Sequence, residues 1–263
     1  MSVPHVTSPS APASTRSAGA APLGQLVLGQ TRAELTMTLR RGESMLVTII
    51  LPVLFLVFFG QIIPIPSVAG KPINFLLPGI IAVAVISTAM VSLGIATAYE
   101  RYYGVLKRLG ASPLPRWGLL IAKMLAVLAL EVVQIALLLA LAALFYGWRP
   151  VGPVLAAVPI VLLGTAAFAG LGMLMAGALR AEATLAGANG LYVVFLAIGG
   201  IFLPVDHLPP GIAQIAALLP PAALSDALRS ALGGAPLHAG SVIVLIVWAV
   251  VLDVAAAVLF KWE

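Results

Sequence analysis

Along most of the chain, long apolar runs alternate with short connectors that hold nearly all of the charge. About 20 consecutive apolar residues are needed for a helix to cross the hydrocarbon core of a bilayer. Six segments meet that length, near 45–63, 77–98, 117–146, 151–179, 183–203 and 239–260. Ahead of them, from about Leu23 to Glu43, the pattern turns helical, with Leu28, Leu35 and Leu39 on one stripe and Glu34, Arg40 and Arg41 elsewhere; Arg32 lies near the edge of the stripe. This predicts an amphipathic helix on the membrane surface, the plainer reading being a polar entry segment to the first span. Residues 1–22, rich in Ser, Pro, Ala and Thr, contain no apolar stretch of signal-peptide length and are expected to form a disordered tail. Residues 23–263 then form one membrane domain.

The expected fold is therefore an all-α polytopic membrane protein with six transmembrane helices. Composition agrees: 62% of residues are hydrophobic and 9% charged, against about 25% charged in a soluble domain. A net charge of +5 does not point to nucleic acid, because the basic residues sit between apolar runs. Arg16, Arg32, Arg40, Arg41, Arg101, Lys107, Arg108, Arg116, Lys123, Arg180 and Lys261 fall on one side of the spans, and Lys71, Arg149 and Arg229 on the other. The positive-inside rule puts both termini in the cytosol, as expected for a multi-pass protein of the plasma (inner) membrane. The chain has no cysteine, and His5, His207 and His238 lack ligand spacing, so no metal site is expected.

In the fourth span small residues recur four apart (Thr165/Ala169, Ala166/Gly170, Gly172/Ala176), which lets neighbouring backbones approach. No internal repeat aligns the two halves, which disfavours an inverted-repeat carrier.

Two segments differ from the rest. Between spans two and three, residues 99–110 can form a short cytosolic helix offering Tyr102, Tyr103, Leu106 and Leu109 between charges, suited to a groove on another protein; the bland reading is a basic turn that fixes topology. After span five, residues 199–221 are too apolar for a solvated loop and are broken by Gly199, Gly200, Pro204, Pro209, Pro210, Pro220 and Pro221. Broken backbone at membrane depth must be buried in protein or line a cavity, so 201–219 reads as short helices dipping into the outer leaflet. Asp226 and Arg229, three apart on the next helix, can form a surface pair that orients it.

Taken together, these segments resemble the ABC type-2 permease family of drug, polysaccharide and lipid exporters. The shared pattern is Leu77-Pro78-Gly79, Glu100-Arg101, Gly104, Leu106, Leu109, Ser112-Pro113, Phe202-Leu203-Pro204, Leu208-Pro209, Leu219-Pro220 and Ala227-Leu228-Arg229. The resemblance implies that the surface helix (Arg32, Arg40, Arg41) and the loop helix (Glu100, Arg101, Gly104, Leu106, Lys107, Arg108) grip a cytosolic ABC ATPase, present as two copies or a related pair. It also implies a second permease subunit, identical or homologous, and re-entrant helices capping an outer exit near Phe202, Leu203, Pro204 and Pro209. Tyr102, Val105 and Lys107 depart from the commoner loop pattern, and the basic character of the loop suggests an acidic groove on the partner. Gly70-Lys71 is followed by Pro72, and no other lysine follows a glycine, so no phosphate-binding loop is seen. The chain is accordingly read as a non-enzymatic subunit binding no cofactor, with ATP and Mg on the partner.

Within the spans, Glu131, Gln134, Asn189 and Asp253 are polar groups in an apolar setting. Charges at such depth cost about 2.5–3.5 kcal/mol on insertion scales. Glu131 and Asp253 either serve a translocation path or pair across the bundle, with Lys123 or a polar backbone site as a partner; Asn189 could bond across helices or line the cavity. The expected function is outward movement of an amphipathic or lipid-like substrate (a drug, a lipid or a lipid-linked glycan) using the partner's ATP hydrolysis. The alternative is a proton-coupled secondary carrier using Glu131 or Asp253. A membrane enzyme is disfavoured, since no cluster of His, Asp, Glu or Ser outside the spans forms a reaction centre.

Overall fold

The computed structural model describes residues 22–40, 42–62, 72–110, 114–233 and 235–260. The predicted tail, Arg41, Lys71, Ser112, Pro113 and Lys261 lie outside the described residues. The described residues form α-helices joined by short turns: α1 (Leu23–Arg40), α2 (Gly42–Ile62), α3 (Pro72–Val85), α4 (Leu93–Tyr102), α5 (Val105–Gly110), α6 (Arg116–Tyr146), α7 (Ala157–Ala178), α8 (Ala181–Ile198), α9 (Pro210–Ala217), α10 (Pro220–Gly233) and α11 (Ala239–Leu259).

The protein is an all-α polytopic membrane protein. Among the described residues, five helical runs are long and apolar enough to cross a bilayer: Pro72–Tyr102, Arg116–Tyr146, Val154–Ala178, Ala181–Ile198 and Ala239–Leu259. The first predicted span falls on α2, a helix of 21 residues that packs on α3. Helix α8 stops at Ile198, short of the predicted end at 203, because Gly199 and Gly200 follow and Gly200 turns with φ 65°.

Pro72–Tyr102 is the innermost run, buried along most of its length. It contains a π-helical segment, Ile86–Ser92, between α3 and α4, whose wider turn rotates the faces of the two flanking helices relative to one another. At about 46 Å for 31 residues, the run exceeds a hydrocarbon core of about 30 Å, so one end projects beyond it.

Small residues in α7 set the packing around this run. A Cβ on Gly172 would stand 2.7 Å from the Met90 carbonyl oxygen, and one on Gly94 would stand 3.0 Å from the Gly172 Cα. Helix α7 also packs along α11, the most extensive helix contact in the fold. The small-residue spacing read from the fourth span thus accounts for two close helix contacts, where lipid supplies no hydrophobic drive for association.

The α9–α10 pair is bent by 76°. The Trp248 indole donates to the Leu218 carbonyl at the bend (2.8 Å), and Trp248 lies about 14 Å along α11 from Ala239. At the other end of α10, the amides of Val151 and Gly152 donate to Leu232. The bend therefore sits deep and the α10 end sits at the bundle's rim, a re-entrant arrangement. The predicted 201–219 range is displaced: residues 201–209 hold only a 3-10 turn (Val205–His207), and the inner limb is α10, buried against α3, α7 and α11.

Helix α1 meets the bundle through polar residues. Thr31 and Glu34 are the residues it buries, against α6, whereas Leu28 and Leu39 point outward. Glu34, read as part of the polar face, faces the bundle because a charged partner waits there.

Candidate functional site

The projecting end of the second span forms an elbow. Helix α4 runs on to Tyr102, the chain turns at Gly104 with φ 69°, and α5 begins. The predicted single helix over 99–110 is thus two helices, because Gly104 adopts the left-handed conformation that side chains resist. The Gly104 amide donates to the Arg101 carbonyl, and the Arg108 amide donates to the Gly104 carbonyl, closing the turn on both sides. Leu106 is buried and anchors α5, while Tyr102, Tyr103, Lys107 and Arg108 are exposed. The three tyrosine rings pack together, Tyr99 on Tyr103 with centroids 6.1 Å apart and Tyr102 edge-on to Tyr103 at 5.1 Å.

Glu100 and Arg101 point into the bundle. The Lys123 ammonium donates to Glu100 at 2.6 Å and lies 3.0 Å from Glu34, and all three side chains are buried. This triad ties α4 to α1 and α6. The Arg101 guanidinium donates to the carbonyl oxygens of Gly177 and Leu179, at the end of α7. Those carbonyls have no partner within the helix, and the helix dipole favours a cation there. The elbow is therefore fastened to three other helices by charge-assisted bonds, which are stronger than neutral ones. Glu34 and Lys123 escaped the sequence reading as site residues, although a lone acid in a basic helix and a lone lysine about 10 Å into an apolar span were both visible.

Residues 26–232 match the ABC-2 type transporter family. The chain belongs to that family. It is also 26% identical over 201 residues to the Bacillus subtilis (strain 168) protein named "Putative transport permease YvfS", a match covering 73% of this chain and 79% of that one. The protein is a membrane-spanning transport permease subunit.

The remaining polar residues of this ABC-2 permease fall into separate places. Gln134 is buried and bridges helices: its amide donates to the Thr48 carbonyl on α2 (3.0 Å) and accepts from the Thr88 hydroxyl in the π segment (2.8 Å). Glu131 is buried opposite Thr165, whose hydroxyl oxygen lies 2.6 Å from Glu131 Oε2; Oε1 meets no donor among the described residues. Lys123, the partner considered for Glu131 or Asp253, is taken by Glu34 and Glu100. Asn189 is exposed and donates to Leu185 one turn back, so it makes no contact across helices here. Asp253 is exposed on α11 and lines a cavity with Lys123 and Arg116.

At the opposite end, Phe202 packs on Phe55 and Phe59 of α2, with centroids 5.2 Å and 4.5 Å apart, while Leu203 is exposed. Arg229 is more than half of a surface pair. It donates to Asp226 at 2.9 Å, to the carbonyls of Phe75, Gly200 and Ile201, and stacks 3.8 Å above the Phe75 ring. A half-buried guanidinium with several donors satisfies carbonyls freed by broken backbone, so Arg229 locks the turn after α8 onto α3.

Proposed function

We propose that this permease is the membrane half of an exporter that moves an amphipathic or lipid-like substrate outward, driven by ATP hydrolysis on a separate cytosolic ABC ATPase. Two ATPases, identical or related, serve two permease subunits, with ATP and Mg held by the ATPases alone. The complex sits in the plasma membrane with both permease termini in the cytosol, a placement supported by the gathering of Arg101, Lys107, Arg108, Arg116 and Arg180 at the elbow end.

The observation that carries this reading is the elbow. Its outer face, formed by Tyr102, Tyr103, Lys107 and Arg108, is exposed for a partner, while Glu100 and Arg101 beneath it bind α1, α6 and α7. A push on α5 is thereby passed to helices on several sides of the bundle, as alternating exposure of a cavity requires. Arg32 and Arg40 of α1 are exposed as well.

The test is reconstitution with the P-loop ATPase encoded nearest to this gene. ATP-dependent accumulation of a fluorescent amphiphile on the side of the vesicle away from the ATPase supports the exporter. Transport by the permease alone, driven by a proton gradient, favours the secondary carrier instead.

A further inference from the structure

At the elbow end of the bundle a cavity of about 490 Å³ lies between α6, α7 and α11, a size typical of small-molecule sites. Its wall is almost wholly apolar, with Leu120, Met124 and Met173 among the lining residues. Three charged side chains reach it: Arg116, Lys123 and Asp253. Lys123 is held between Glu34 and Glu100. Arg116, the first residue of α6, is engaged in a contact of its own.

Asp253 is held differently. No hydrogen bond or ion pair reaches its carboxylate among the described residues. Its Oδ1 instead abuts the α7 backbone, where a Cβ on Gly170 would stand 2.5 Å away. It lies about 9 Å from the end of α11 at Leu259, inside the apolar layer, where a carboxylate without a counter-charge is costly. With Lys123 held by its two carboxylates and Arg116 engaged in a contact of its own, Asp253 is the one charged group lining the cavity that has no partner among the described residues.

We propose that this cavity binds a hydrophobic organic cation whose apolar body fills the space and whose charge is met by Asp253. That the bound cation is cargo rests on the exporter reading above; the binding itself does not.

Binding of tetraphenylphosphonium to the full chain in phosphatidylcholine nanodiscs tests it, alongside the anion tetraphenylborate and neutral triphenylphosphine. The cation is expected to bind roughly tenfold or more tightly than either. Asp253→Asn should remove that preference, Asp253→Glu should restore part of it, and Ala257→Phe, which fills the cavity, should weaken all binding without altering charge. Equal binding of the three probes, preferential binding of the anion, or unchanged cation binding by Asp253→Asn would overturn the proposal. So would binding of none of them, the result expected if a second permease copy closes the cavity. ATP turnover of the permease–ATPase complex is measured separately: turnover without cation binding removes this site and leaves the exporter standing, and cation binding without turnover does the reverse.

Discussion

Lys123 on α6 reaches Glu100 at the end of α4 across 2.6 Å, in a place where neither side chain is open to solvent. With Glu34 as the third member, the contact makes the exposed elbow continuous with the interior of the bundle.

Removing the lysine leaves two buried carboxylates facing each other. Lys123→Met should therefore destabilise the protein by about 3–5 kcal/mol, the usual result of breaking a buried pair from one side. Thermal unfolding in detergent, followed by tryptophan fluorescence, measures this. Adding Glu34→Gln and Glu100→Gln to Lys123→Met should recover much of the loss, since no uncompensated charge then remains; strict additivity of the losses would count against the triad.

Arg101→Ala should leave the fold largely intact but release the end of α7 from the elbow, losing two bonds to carbonyls worth about 1.5–3 kcal/mol each. The expected outcome is an assembled permease–ATPase complex with reduced stimulation of ATP turnover by substrate. Arg101→Lys, which cannot span both carbonyls as a planar fork, should be intermediate.

How much of this was legible in the sequence depends on the residue. The spans were legible because hydrocarbon demands long apolar runs, and the elbow's location because charge and tyrosine interrupt them. The triad was not: the leucine stripe of α1 indicated only a face for lipid, whereas the face turned to the bundle is chosen by polar partners such as Lys123. Gly104 could have marked the break in 99–110, but a lone glycine also sits at many helix ends. The depth of Arg229 was hidden because its acceptors, Phe75, Gly200 and Ile201, are backbone groups remote in sequence.

Gly172→Ala adds a methyl group facing the Met90 carbonyl, with backbone and not a flexible side chain in the way. Overpacking of this kind costs about 1–3 kcal/mol. A lowered unfolding temperature is expected, whereas Gly187→Ala, with open space around it, should be neutral or slightly stabilising.

Thr165 has one hydroxyl proton and two acceptors, Glu131 Oε2 at 2.6 Å and the Val161 carbonyl at 2.8 Å. Glu131→Gln supplies its own donor and should keep stability within about 1 kcal/mol, while Thr165→Val strands a buried polar group at a cost of about 1–3 kcal/mol. Full transport activity in Glu131→Gln is also expected; loss of transport with stability intact would instead give Glu131 a role in proton coupling.

The most direct measurement is ATP turnover and co-purification of the permease with its ATPase when the exposed elbow is reversed in charge, Lys107→Glu with Arg108→Glu. Both side chains are exposed, so the fold should survive, and the unfolding temperature of the isolated permease checks this. Loss of co-purification and of substrate-stimulated turnover, with an unchanged unfolding temperature, is the predicted result. A variant that still binds the ATPase and turns over ATP like the parent would contradict coupling through the elbow.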